Sequence, residues 1–244
     1  DYRPAYITQR KGHRLAALLP VMEINSLLTG KRGVSLPFTD FCQPLAANTE
    51  QLKDLIVFAL QQAVKKSWQS LVFRTCKPLP FFETPAHQYR RHRLALDGSC
   101  PGVEKKLRKS TLRNVKRAIR SGVHVSVLQN LSSIRTFYGL NCHTRKRHGL
   151  PPQPWYFFEA VHEHVIKPQK GHVFLAFFED RPIAGAIFFH YRNQAFYKYG
   201  ASDRRYQQHR ANNLVIWEAI QHYRASGCRM IDFGRTEPTH EGLL

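Results

Sequence analysis

An α/β (α+β) chain in two similarly built halves, each a mixed, mainly antiparallel sheet flanked by helices, is the fold this sequence predicts. Three observations predict it. Apolar residues recur at helical spacing in five blocks, and apolar runs punctuated by glycine, proline and asparagine mark strands between them. Beyond residue 100 the order is αβαα-βββ-αβ, a fuller version of the αβ pattern before it. The expected division is 1–100, which reads as incomplete, and 101–244, which stops at Leu244 just after a strand-and-turn signal and reads as truncated.

Residues 15–24 (LAALLPVMEI) are expected as a strand, or a strand pair broken near Pro20, followed by a loop through Gly30 and Gly33. A helix is expected over 48–66, where Leu52, Leu55, Ile56, Ala59, Leu60, Ala63 and Val64 share one face and Asn48 or Thr49 is available as a cap. SLVFRT at 70–75 predicts a short strand, and YRRHRLAL at 89–96 predicts another that ends at Asp97-Gly98 and completes the first half. One helix is expected over 103–122, with Leu107, Val115, Ala118 and Ile119 near one face, cations over most of the rest, and Gly122 as C-cap. A strand at 124–128 and helices at 131–148 and 155–166 follow, the last entered through Pro151, Pro152 and Pro154. From Gly171 the segments HVFLAFF, IAGAIFFHY and AFYKYGA, separated by turns at 179–182 and 192–193, predict an antiparallel meander. A helix from Arg210 or Asn212 to Ala225 stops at Gly227, and MIDFG supplies the last strand.

With 244 residues and 43% hydrophobic composition the chain can bury one large core or two small ones. It holds no uninterrupted apolar run of about 18 residues, and its start, DYRPAYITQRKGH, lacks the apolar centre and small-residue cleavage site of a secretory signal, so it reads as cytoplasmic. Five cysteines without paired spacing read as reduced thiols. Among thirteen histidines the densest cluster, His162-Glu163-His164, has spacing that points its rings to different helix faces, so no metal is expected. The formal charge of +20 is far above the single digits usual for a small domain and implies a polyanionic partner: nucleic acid, an anionic membrane or a pyrophosphate-linked substrate. No G-x-S-x-G elbow, P-loop or dinucleotide fingerprint is present, and adjacent Cys142 and His143 diverge on a helix, which argues against covalent catalysis.

The most informative stretch is 194–236, which runs strand, turn, helix, strand with Tyr199, Ser202, Asp203, Arg210, Asn212, Asn213, Asp232 and Arg235 at the joints, where free backbone donors and ligands gather. Its YGASD, RAN and DFGRT segments resemble the FemAB-like aminoacyl and acyl transferases, built on the acyl-CoA N-acyltransferase (GNAT) fold. The resemblance extends to SLPFTDF at 35–41, to LRKST and RNVKRA at 107–118 with Gly122-Val123, to Phe137-Tyr138, and to Thr144-Arg145 through Gly149. It implies two tandem GNAT-like domains that transfer an acyl or aminoacyl group to an amine. The peptidoglycan branch of the family uses aminoacyl-tRNA to extend the stem peptide of a cell-wall precursor, and similar proteins belong to exopolysaccharide or envelope systems. No bound cofactor is implied. The donor is aminoacyl-tRNA or acyl-CoA, and the acceptor is an amine-bearing, phosphate-linked envelope precursor held in the cleft between domains, with peripheral contact to the inner face of an anionic membrane. The chain departs from the acetyl-CoA-using pattern at 207–212, QQHRAN, where no glycine permits close approach of a pyrophosphate. It also ends just after Gly242-Leu243, before a lysine that the family commonly carries.

Acyl transfer to an amine requires a neutral nucleophile, a place for the carbonyl's developing charge and a proton acceptor. Asp203, Asp232 and Arg235 are the catalytic candidates: the carboxylates take a proton or orient the amine, and Arg235, like Arg210, holds phosphate or carboxylate. Asp203 reads equally as a turn residue, whereas Asp232 between Ile231 and Phe233 must be paired or face a cleft. One of Asn212 and Asn213 is expected to cap the following helix and the other to touch substrate. Tyr197 and Tyr199, two apart on a strand, are expected on the same side, lining a cleft or packing in the core. Ser202, Thr236 and Arg145 complete the expected substrate contacts, and the positive charge of the 104–120 helix makes Lys105, Lys109, Arg113 and Lys116 the expected polyanion contacts. The competing readings are an acyl-CoA-dependent N-acetyltransferase and a non-catalytic RNA- or membrane-binding protein of the same fold.

Overall fold

The computed structural model describes residues 2–27, 29–82, 84–96 and 100–238. Asp97-Gly98, expected to end a strand, and Gly242-Leu243 lie outside the described residues. The chain divides into two compact units, Asp1–Gln88 and Tyr89–Leu244.

In the first unit, strands β1 (Tyr2–Pro4), β4 (Met22–Ser26), β5 (Gly30–Val34) and β6 (Ser70–Val72) form one sheet in that order, with β5 and β6 parallel and the other pairs antiparallel. A separate hairpin joins β2 (Ile7–Lys11) to β3 (Arg14–Leu19). Helix α1 (Thr49–Lys65) buries Leu55, Ile56, Ala59 and Ala63, the face its spacing predicts, while Leu60 and Val64 turn out to be exposed. Asn48 is its cap, accepting a hydrogen bond from the Gln51 amide at 2.9 Å. The loop expected through Gly30 and Gly33 is strand β5. Its glycines serve packing: a side chain at Gly33 would stand 2.4 Å from the Trp68 ring, which lies against the backbone there. Strands β1 and β2 carried no periodic signal because their residues are mostly exposed; only Ile7 of β2 is buried.

The second unit is built on a six-stranded sheet in the order β7 (Arg90–Ala95), β12 (Met230–Thr236), β11 (Gln194–Ser202), β10 (Arg181–Tyr191), β9 (Gly171–Phe178), β8 (His124–Leu128). All its neighbours are antiparallel except β11 and β12. Strand β7, placed by the sequence in the first hundred residues, is therefore the edge of this sheet, pairing with β12 from Met230↔Ala95 to Thr236↔Arg90. The expected meander of β9, β10 and β11 is present. One face of the sheet packs α6 (Ala211–Ala225) and α3 (Lys109–Arg120) through Val115, Phe174, Phe188, Leu214, Val215 and Tyr223. The other packs α4 (Leu131–Arg147) and α5 (Trp155–Val161) through Ile134, Phe137, Phe158, Leu175 and Ile187. A single π turn, His162–Ile166, continues α5.

The helix expected over 103–122 is two helices. Helix α2 (Cys100–Lys106) ends, Arg108 turns extended (φ −60°, ψ 139°), and α3 starts at Lys109. The break has a packing reason. Val103 and Val115 are buried in the same cluster, yet an unbroken helix of 3.6 residues per turn would set residues twelve apart about 120° from each other around its axis.

Candidate active site

The decisive geometry lies where β11 and β12 part. Their parallel ladder spans only Gln194–Phe196 against Met230–Asp232 as residue pairs, after which β11 follows β10 to Ser202 and β12 follows β7 to Thr236. Each strand carries a bulge at the parting. On β11, Ile187 faces Tyr199 and Phe188 faces Tyr197, which leaves Lys198 as the extra residue. On β12, two residues, Phe233 and Gly234, stand opposite His92, with Gly234 in the left-handed region at φ 82°. Bulges bend strands and increase twist, so two of them on neighbouring strands open a wedge at the carboxyl ends of a parallel pair.

Asp232 fixes the β12 bulge from within. The residue is 3% exposed; Oδ1 accepts from the Gly234 amide at 2.8 Å and Oδ2 accepts from Arg91 Nε at 2.6 Å, with Arg91 Nη2 also on Oδ2. The expectation that this carboxylate is paired holds, and its partner, Arg91, was not among the sequence candidates. The Arg235 guanidinium carbon lies over the Tyr89 ring, 3.9 Å from its centroid, a cation–π contact. Thr236 Oγ1 is 2.7 Å from His92 Nε2.

Tyr197 and Tyr199 do not share a side. The Lys198 bulge resets the alternation, so Tyr197 packs with Phe188 and Phe233 on the α6 face while Tyr199 packs with Phe157, Phe158 and Phe189 on the α4 face. Burial pushes both phenols up, Tyr199 to about 12, so both are neutral donors near pH 7.

Beside the wedge, the turn between β11 and α6 forms an opening of about 120 Å³ lined by Ser202, Asp203, Gln207, Arg210, Asn212 and Asn213 among others. The structure thus brings five of the predicted residues to one place. Neither asparagine caps the helix. The cap position belongs to Arg210, which sits in the left-handed region (φ 57°, ψ 29°) and makes no side-chain cap bond, so the first amides of α6 keep their capacity to bind an anion. Asp203 caps a short 3-10 turn, Arg204–His209, and grips Arg205 with both oxygens at 2.7–3.1 Å. Those bonds from Arg205 hold its carboxyl below the usual carboxylate range. Ser202 is tied to α4: its amide donates to Thr144 Oγ1 at 3.0 Å, and that hydroxyl donates back to the Ser202 carbonyl at 3.2 Å. Arg145 donates from Nε to the Pro151 carbonyl at 3.2 Å, holding the proline loop after α4.

The cationic residues separate. Lys109, Arg113 and Lys116 line, with Leu112 and Arg120, an opening of about 370 Å³ along α3, whereas Lys105 is an exposed residue of α2. In the first unit, the 35–39 segment is held by Arg74, whose Nη1 donates to the carbonyls of Pro37 at 2.5 Å and Thr39 at 2.8 Å. No helix among the described residues is long and apolar enough to cross a membrane.

A family model described as an acetyltransferase (GNAT) domain matches residues 105–241, more than half of the chain. The chain belongs to the acetyltransferase (GNAT) domain family. Its fold is shared along nearly the whole length with FemX, at a TM-score of 0.72 and 12% identity over 99% of this chain and 83% of that one. The C-terminal domain of a putative lysylphosphatidylglycerol synthetase from Agrobacterium fabrum is similar at 0.64, with 12% identity over 96% of this chain and 71% of its own. L-PGS from Bacillus licheniformis is similar at 0.63, with 11% identity over 98% and 70%. Among curated protein sequences, none matches. The GNAT domain family and the tandem FemX-like fold are thus established for this chain.

Proposed function

We propose that the protein is a FemAB-like N-acyltransferase that moves an aminoacyl or acyl group onto an amine of a phosphate-linked cell-envelope precursor, of peptidoglycan or exopolysaccharide. One observation carries the reading: a wedge between β11 and β12 opens beside a helix N-terminus that has no side-chain cap bond and has Arg210 at its cap position. Backbone groups along an opened pair of strands offer amides to a carbonyl oxygen as it gains charge, and the α6 N-terminus suits a phosphate of the donor. No protein nucleophile is required. The amine attacks the donor's ester or thioester carbon directly, its proton passes to a basic group or water, and the leaving group takes a proton in turn. Asp232 acts in this scheme by holding the wedge open through Arg91 and Gly234, and Asp203 by shaping the turn that presents Arg210. The fold shared with FemX and L-PGS supports the aminoacyl branch, and the α3 cations Lys109, Arg113 and Lys116 suit a nucleic-acid donor or an anionic membrane.

The second reading, acyl-CoA as donor, rests on the same uncapped helix. Against it stands Arg210, whose left-handed position would in a glycine-rich turn let a pyrophosphate approach the backbone. Fluorescence anisotropy with charged tRNA across a salt series, with acetyl-CoA as competitor, separates them. Saturable binding that survives moderate salt and ignores CoA is expected; displacement by CoA assigns the acyl-CoA reading, and no binding of either ligand rejects both.

A further inference from the structure

At the other end of α6, three half-buried imidazoles meet against the core. His172 on β9 stacks on His190 of β10 at 5.3 Å between ring centroids and meets His222 of α6 edge-on at 4.5 Å. Tyr223 closes the group, its hydroxyl 3.2 Å from His172 Nδ1, with Phe174 and Phe188 around it. His190 Nδ1 and His222 Nε2 are buried without a hydrogen-bond partner. In a neutral ring that nitrogen is a bare acceptor, which costs less than the charged form, where the ring would bury an N–H with no acceptor beside two like neighbours.

We propose that His172, His190 and His222 form an acid-sensitive latch that holds the C-terminal half of α6 on β9 and β10 only while the rings are uncharged. Burial, and then the neighbouring His222 and His190, bring His172 down to about 4, and burial with His190 lowers His222. No carboxylate figures among those causes. The remaining titratable and charged groups on the packed elements are Glu218, Tyr223 and Arg224 of α6, Cys228 after it, Arg181 and Tyr191 of β10, Tyr197, Lys198 and Tyr199 of β11, Lys170 and Arg192 beside the strand ends, and His124 of β8, which stacks on Phe177 instead. Helix α3 presents Val115 and Ala118 to the same core. Because His172 and His222 are depressed in the folded state, the unfolded chain binds more protons below the ordinary histidine value near 6.5. Stability is therefore complete above pH 6.5 and falls as pH drops toward 4, by about tenfold in the folding constant per pH unit for each fully shifted ring. The latch does not depend on which reaction the protein catalyses.

Histidine NMR titration and amide hydrogen exchange of the full chain from pH 7.5 to 4.5 test it. His172 should stay neutral well below pH 6, and amides of residues 215–225 should lose protection on acidification before those of α4. The thermal midpoint of His222→Asn should depend less on pH than that of the wild type. Titration of His172 near 6.5 with α6 still protected, or loss of α4 and α6 protection together, overturns the latch. Exchange on the wild type decides the matter if the variant does not fold.

Discussion

At the scale of single residues, Asp232 and Arg210 show how position rather than residue type sets a role. A carboxylate inside an apolar strand is stable because Arg91 and the Gly234 amide supply its hydrogen bonds. Asp232→Asn should therefore lower stability by about 3 kcal/mol in urea unfolding, since it leaves the partly buried Arg91 without its carboxylate. An unchanged midpoint would mean that the pair does not hold the bulge. Arg210 places a side chain where glycine is favoured, at a conformational cost of about 1 kcal/mol. Arg210→Ala and Arg210→Gly should lose affinity for an anionic donor alike, while only the glycine variant is relieved of that strain. Equal affinity in both variants and the wild type would remove the guanidinium from the site. His92 is not legible in the sequence because its partner, Thr236, lies 144 residues away and only the fold brings the two together. Arg205 was legible in principle, as a cation two places after a turn aspartate.

At the scale of elements, periodicity identified those with one wet and one dry face. Helices α1, α4 and α6 and the strands of the meander have the expected extents within a residue or two, because their apolar spacing records which face is buried. Strands β1, β2 and β5 lack that record: β1 and β2 are exposed, and β5 uses glycine where a neighbouring ring needs room. Gly33→Ala should cost about 1–3 kcal/mol in chemical unfolding by driving a methyl group into Trp68. A neutral result would show that the indole can step aside. The break between α2 and α3 was invisible for the opposite reason, since both flanking segments are good helix formers and only burial of Val103 and Val115 in one core separates them.

At the scale of the whole molecule, the formal charge of +20 acts as a long-range field, and α3 gathers part of it into one lined surface. Reversing Lys109, Arg113 and Lys116 together should weaken RNA binding and make its dependence on log salt shallower by about 2, at roughly 0.7 for each phosphate no longer neutralised. An unchanged slope in anisotropy titrations would move the polyanion to another face. The sequence by itself determined the fold class, the order of elements from the strand at 124–128 onward, the family resemblance and the cluster from Ser202 to Asn213, because each is written in local spacing or in residues adjacent along the chain. Only the tertiary structure decided that the strand at 90–95 completes the second sheet, that a bulge sends Tyr197 and Tyr199 to opposite faces, and that Arg91 meets Asp232. Those outcomes depend on strand register and on contacts between residues far apart in sequence, and a one-residue shift in register reverses the face of every side chain beyond it.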